Sequence, residues 1–286
     1  MPSTAKLATM IPPIANRFVA GETERDVITH ARVLDTEGIN SICNLLGEHY
    51  DSPEPAAADR ESYCALIEAI GEEDIDATVS IKPSQLGLGI AEGCFRSNLE
   101  LVVERAAEQE VFLWIDMEDH ETTDATLDAY THHVEEYDGI GVCVQANLKR
   151  TPDDLRRLAD YPGKVRLVKG AYDEPGDVAY REKSRVNEAY RECLEIMFAE
   201  FDGGIAVGSH DPAMIDDAEE LHDEHGTAFE IQMLMGVRED AQHDLAADHE
   251  VYQYIPYGDS WLSYFYRRMM ERRENLLFGL RALVGG

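Results

Sequence analysis

The sequence predicts an α/β fold of the (β/α)8 kind, a TIM-like barrel, and three observations predict it. Eight short apolar runs recur along the 286 residues. Segments with helical spacing separate them. No G-x-G-x-x-G follows the first run, which argues against the runner-up, a doubly wound open sheet that binds a dinucleotide.

The runs are residues 41–46, 77–82, 111–116, 139–145, 164–169, 204–209, 228–233 and 251–255. Most are β-branched or nearly continuous in apolar character, as strands covered on both faces require. Residues 22–37 read as an extra helix ahead of the first strand. Residues 1–20, with Pro12 and Pro13, read as an N-terminal arm, and 21–286 as the barrel of a single domain. The acidic stretch 51–60, with Pro53 and Pro55, reads as a loop leading into a helix. Leu99, Val102, Val103 and Ala106 form one apolar helical stripe. Val186, Ala189, Tyr190, Cys193, Leu194 and Met197 form another, within 180–201. Both stripes face a sheet, with acidic residues outward.

Asp and Glu number 57 against 25 Lys and Arg, a formal net charge of −32. Such a chain repels phosphates, which excludes sequence-independent nucleic-acid binding, and it carries no polybasic membrane anchor. Lysine is confined to Lys6, Lys82, Lys149, Lys164, Lys169 and Lys183. An acid-rich, lysine-poor surface predicts a halophilic source, where salt screens self-repulsion. The cysteines, Cys43, Cys64, Cys94, Cys143 and Cys193, contain no CxxC, so neither a zinc site nor a disulfide framework is expected. Cys43 and Cys143 fall in strand runs and read as buried apolar residues. The N-terminus lacks a basic region followed by an apolar stretch, and no run of about 18 apolar residues exists. A cytoplasmic protein is expected.

Active sites of such barrels sit at the C-terminal ends of the strands. Polar residues gather there: Lys82, then Asp116 with Glu118 and Asp119, then Gln145. Next come Lys169-Gly170-Ala171-Tyr172 and Ser209-His210-Asp211, then Glu230 and Gln232 along the seventh strand and Tyr254 on the eighth. Each has a bland reading beside the functional one. Lys82 is also a snorkelling rim lysine, and Asp116 a helix N-cap or rim ion pair. Gln145 also satisfies loop backbone groups, and His210 caps the next helix. Glu118, Asp119 and Asp211 read as solvated acids. Arg166 lies mid-strand, where an unpaired cation is costly, so it points to an anion.

Arg267 and Arg268 are neighbours, about 100° apart on a helix, and meet one ligand only if the helix lies across it. An ordinary basic helix surface, continued by Arg272 and Arg273, is the other reading. The aromatic lead-in of Tyr254, Tyr257, Trp261 and Tyr264 favours a site, and the planar fork of Arg suits a carboxylate. Together these features imply a phosphate-bearing cofactor and a small carboxylate substrate.

At these residues the sequence resembles the proline dehydrogenase family, especially its small monofunctional members. The matching stretches begin with Leu45-Leu46-Gly47-Glu48, Ser80-Ile-Lys82-Pro83 and Ile115-Asp116-Met-Glu118. Gln145-Ala-Asn-Leu-Lys149-Arg150, Arg166-Leu-Val-Lys-Gly-Ala-Tyr172 and Ser209-His210 follow. Phe229-Glu230-Ile-Gln232-Met-Leu234-Met-Gly236 and Tyr254-Ile-Pro-Tyr-Gly258 through Arg267-Arg268 complete the set. The resemblance implies a distorted barrel with non-covalent FAD and the last helix over the barrel mouth. It implies oxidation of L-proline to Δ1-pyrroline-5-carboxylate by hydride transfer to FAD, the first step of proline catabolism.

By the same resemblance, Arg267, Arg268 and Lys82 bind the proline carboxylate and Asp116 supports the cations. Tyr172, Leu234, Tyr254 and Tyr264 wall the ring. Gln145, Arg166, Lys169, Gly170, Ala171, His210 and Glu271 contact FAD. Quinone or another acceptor takes the electrons, with transient contact at the inner face of the membrane; the apolar C-terminal residues from Leu276 to Val284 are candidates for that contact, although packing of that tail against the barrel is the favoured reading. Two positions depart from the family pattern: Asp173 stands where longer members carry Trp, and Ser209-His210-Asp211 replaces Thr-His-Asn. Alternatives are another flavin barrel such as a methylenetetrahydrofolate reductase, and a non-enzymatic amino-acid-binding protein.

Overall fold

The computed structural model describes residues 15–47 and 50–262. Eight strands close into an all-parallel barrel in sequence order, each hydrogen-bonded to the next, and β8 to β1. They are β1 (Asn40–Leu45), β2 (Ala77–Ile81), β3 (Leu113–Ile115), β4 (Ile140–Gln145), β5 (Lys164–Val168), β6 (Ile205–Gly208), β7 (Phe229–Leu234) and β8 (Glu250–Tyr257). The closure excludes the open sheet. Strand ends differ from the expected runs by at most two residues, and β8 pairs with β1 out to Tyr257.

Helices α1 (Glu24–Thr36), α2 (Pro53–Gly71), α3 (Glu92–Gln109), α4 (Thr123–Val134), α5 (Thr151–Leu158), α6 (Lys183–Glu200), α7 (Pro212–His225) and α8 (Glu239–Leu245) alternate with the strands. The extra helix α1 starts with a capping box between Thr23 and Asp26. The acidic stretch expected as a loop is mostly helix: α2 begins at Pro53. Proline is tolerated in a first turn because the N–H groups it lacks have no intrahelical partner there. The expected last helix, with Tyr264, Arg267, Arg268 and Glu271, falls outside the described residues.

The main core fills the layer between strands and helices, with Phe95, Tyr63, Tyr190 and Phe198 among its fully covered members. Phe18 and Val19, within the stretch expected as an arm, are buried with Leu46 and Trp261. The barrel interior holds a separate small apolar cluster of Ile42, Trp114, Ala206 and Tyr252. Gly141 makes room for it, since a Cβ there would sit 2.6 Å from the Trp114 ring. Cys43, Cys143 and Cys193 are buried free thiols. Among the described residues no helix is long and apolar enough to cross a membrane.

Phe95 of α3 fills the α/β layer rather than the interior. Phe95→Ala should therefore cost about 3–5 kcal/mol in urea unfolding while leaving ligand binding by the folded fraction unchanged.

Candidate active site

The C-terminal half of the barrel interior is built around one carboxylate. Asp116 follows the end of β3, and its backbone N–H still donates to Ile81 O, so the chain direction carries its side chain inward. Ser80 Oγ donates to its Oδ1 at 2.7 Å and Tyr254 OH to its Oδ2 at 2.7 Å. Arg166 donates to Oδ1, and Lys82 Nζ lies 3.5 Å from Oδ2. Tyr254 comes from β8 and Arg166 from β5; neither strand adjoins β3, so these contacts cross the interior. Period-2 alternation along β5 and β8 aims both side chains there.

Arg166 is 4% exposed. Besides Asp116 it donates to Gln232 Oε1 at 3.1 Å. Its guanidinium stacks 5.0 Å from the Trp114 ring and 5.7 Å from that of Tyr254. A planar, weakly hydrated cation tolerates such a place better than an ammonium. Lys82 Nζ donates to Asn44 Oδ1 at 2.9 Å, and Asn44 in turn donates to Ser80 O.

Burial opposes ionisation of Asp116, but Arg166 and Lys82, with the hydrogen bonds from Tyr254 and Ser80, outweigh it and hold the carboxyl below its usual range. Burial, with Asp116 beside it, pushes the Tyr254 hydroxyl far above the phenol range, so it stays a donor. Two cations share this one carboxylate, so the trio of Arg166, Lys82 and Asp116 by itself carries one positive charge in excess, with Glu118 the next acid within reach of Lys82. The cluster thus suits a second, exogenous carboxylate.

The other rim residues take varied places. Gln145, 2% exposed, donates to Glu118 O at 2.8 Å, the backbone-satisfying role open to it. Lys169 Nζ donates to Asn187 Oδ1 and Asp211 Oδ2, both at 2.7 Å. Asp211, expected as solvated, is half-buried: it takes Lys169 and caps α7 through Ala213 N. The cap of α7 is therefore Asp211 and not His210. His210 Nε2 instead accepts from Leu234 N at 3.3 Å, which ties the end of β7 to the loop after β6. Tyr172 is half-buried, Ala171 exposed, and Asp173 exposed and paired with Arg181.

Glu118 was also expected as solvated. It is 3% exposed and accepts from Ser84 N at 2.7 Å and Ser84 Oγ at 2.6 Å. Burial raises its carboxyl above the usual range against the pull of those bonds. Sequence reading also misses Glu174, a buried acid that accepts from His120 N at 2.9 Å and pairs with the His120 ring, joining the loops after β5 and β3. No periodicity marks either acid, because each answers to a partner on another loop.

The rim offers a cradle for a large polar group. Gly170 has φ +103°, and a Cβ there would lie 2.1 Å from Asn147 Oδ1, so only glycine fits. That Asn147 oxygen is buried and has no hydrogen-bond partner among the described residues. An acceptor without a donor, in a loop whose Asn147 N–H donates to Lys169 O, fits a ligand that carries an N–H of its own.

A family model described as proline dehydrogenase matches residues 27–279. The chain belongs to the proline dehydrogenase family. It is 37% identical to "Proline dehydrogenase" of Deinococcus radiodurans over 284 residues, which cover 96% of this chain and 91% of the relative. It is 32% identical to "Proline dehydrogenase 1" of Bacillus subtilis over 274 residues, covering 94% and 90%. In fold it is similar to the crystal structure of proline utilization A from Bdellovibrio bacteriovorus inactivated by N-propargylglycine. The TM-score is 0.82 and the identity 20%, over 90% of this chain and 32% of that one. This chain thus spans about a third of that longer protein, and the likeness shows the fold.

Removing the central carboxylate leaves Arg166 buried beside an amide. Asp116→Asn should cost about 3–5 kcal/mol of stability at neutral pH. Because the folded carboxyl titrates below the unfolded one, its contribution is complete above about pH 4 and fades as the pH falls through the folded value. Urea unfolding of parent and variant across that range should show a constant gap that narrows only in acid.

Proposed function

We propose that this chain oxidises L-proline to Δ1-pyrroline-5-carboxylate with FAD as its cofactor. The observation that carries the reading is the buried Asp116 cluster, with its excess positive charge at the barrel mouth, in a chain of this family. When bound, FAD supplies a hydride acceptor for the substrate's ring carbon next to nitrogen. By resemblance, Arg166, Lys169, Gly170, Ala171, Gln145, His210 and Glu271 would hold it. The unpartnered Asn147 acceptor beside Gly170 supports that assignment.

The chain's own work is to bind and orient. Lys82 presents an ammonium fixed by Asn44 and Asp116, and it takes the proline carboxylate together with Arg267 and Arg268. Tyr254, Leu234, Tyr172 and Tyr264 wall the ring. The Tyr254 ring is held by its hydroxyl's bond to Asp116. Fixing the ring against the acceptor is an orientation effect. Each charge-assisted bond to the carboxylate contributes about 1.5–3 kcal/mol. Asp116 acts as counter-ion and not as base, because a carboxyl held below its usual range accepts a proton poorly. The amine proton therefore leaves to solvent. Electrons would then pass to a quinone or another acceptor.

Purified protein should be yellow, and L-proline without oxygen should bleach its flavin band while NADH does not. A colourless protein that gains no colour with FAD overturns the reading, and bleaching by NADH instead of proline favours a folate-reductase activity. Arg268→Met should raise the proline KM by about 10-fold or more, the loss of one charge-assisted bond, with flavin content unchanged.

A further inference from the structure

A chain of polar side chains runs through the barrel interior from its closed end to Arg166. Lys164, at the start of β5, donates to Glu230 Oε2. Gln232 Nε2 donates to Glu230 Oε1 at 2.6 Å, and Gln232 Oε1 accepts from Arg166 at 3.1 Å. Glu230 is 3% exposed and Gln232 is buried as well. Such an arrangement is costly inside a barrel, where branched apolar side chains are the rule.

The chemistry of the chain admits one arrangement. A guanidinium only donates, and a carboxylate only accepts. The amide between them must turn its NH2 to Glu230 and its oxygen to Arg166. Both Glu230 oxygens are taken by donors, one from Lys164 and one from Gln232, as an ionised carboxylate requires. Burial pushes the Glu230 carboxyl up, and Lys164 and Gln232 pull it back. Without that carboxylate the amide is free to flip, and a flipped amide presents N–H groups to the N–H groups of Arg166.

We propose that Glu230 is a positioning residue: acting through Gln232, it sets the orientation of the Arg166 guanidinium at the barrel mouth, with Lys164 holding it from the far side. Glu230 lies one full strand repeat below Gln232 and touches Arg166 only through that amide. The kinetic part of this inference rests on the proline-oxidising reading above, in which Arg166 meets the cofactor. The orientational part stands on the barrel alone.

The test uses the full-length, flavin-loaded protein and Glu230→Gln, which keeps size and removes charge. The Arg166 guanidinium N–H signals in nitrogen-resolved NMR, assigned by their loss in Arg166→Lys, should be resolved in the parent and averaged in the variant. Loss of one charge-assisted contact predicts flavin reduction by proline slowed by about 10-fold or more, with the proline KM within about twofold. Gln232→Leu should slow the reaction to the same degree. Adding Glu230→Gln to Gln232→Leu should slow it no further, because the first residue acts only through the second. Unchanged guanidinium signals in Glu230→Gln overturn the inference. So do additive rate losses in the double variant, or a variant that loses stability and flavin while its loaded fraction reacts at the parent rate. If proline fails to reduce the parent flavin, the functional reading fails, and the guanidinium signals still decide the role of Glu230.

Discussion

One buried ion pair, Arg166 with Asp116, constrains most of what lies above it. A guanidinium inside a barrel of parallel strands must meet partners on every side, and the chain supplies them from three strands and one loop end. Asp116 takes its front, Gln232 its flank, and the rings of Trp114 and Tyr254 its faces. Those same partners then fix other groups. Asp116 aims Tyr254 and steadies Lys82, and Lys82 depends on Asn44. The interior is thus less a hydrophobic plug than a polar frame, and Ile42 and Ala206 fill what the frame leaves.

Much of this was legible in the sequence. Strands covered on both faces announce themselves as continuous apolar runs, and all eight were found. Arg166 stood out because a cation in such a run needs a reason. The partner was less legible: Asp116 had a cap or rim pair as a rival reading, and only the closed barrel brings β3 within reach of β5. Glu118 was misread because composition suggests solvent for any acid in an acid-rich chain. Its burial depends on Ser84, a loop residue after another strand. His120 and Glu174 were invisible for the same reason. The start of α2 was misread because two prolines argue for a loop, although a first helical turn accepts them.

The described residues also separate two tasks within the barrel. Large rings and aliphatic side chains between strands and helices carry stability, and a change there is felt as unfolding. Polar residues inside the mouth sacrifice stability, since an apolar interior of equal volume would hold as well or better. The excess positive charge at the mouth is notable in a chain of formal net charge −32. A substrate carboxylate meets that local charge against a surrounding negative field, whose range dissolved ions shorten.

The pairing of β1 with β8 has a consequence for biogenesis. Asn40 lies against Tyr252, and Leu45 against Tyr257, so the seam joins segments made at nearly opposite times during translation. Until the later segment leaves the ribosome, the first strand keeps an open edge, which is a template for misassembly. Contacts this distant along the chain also form slowly. The dense negative charge offers protection in that interval, by keeping half-made neighbours apart.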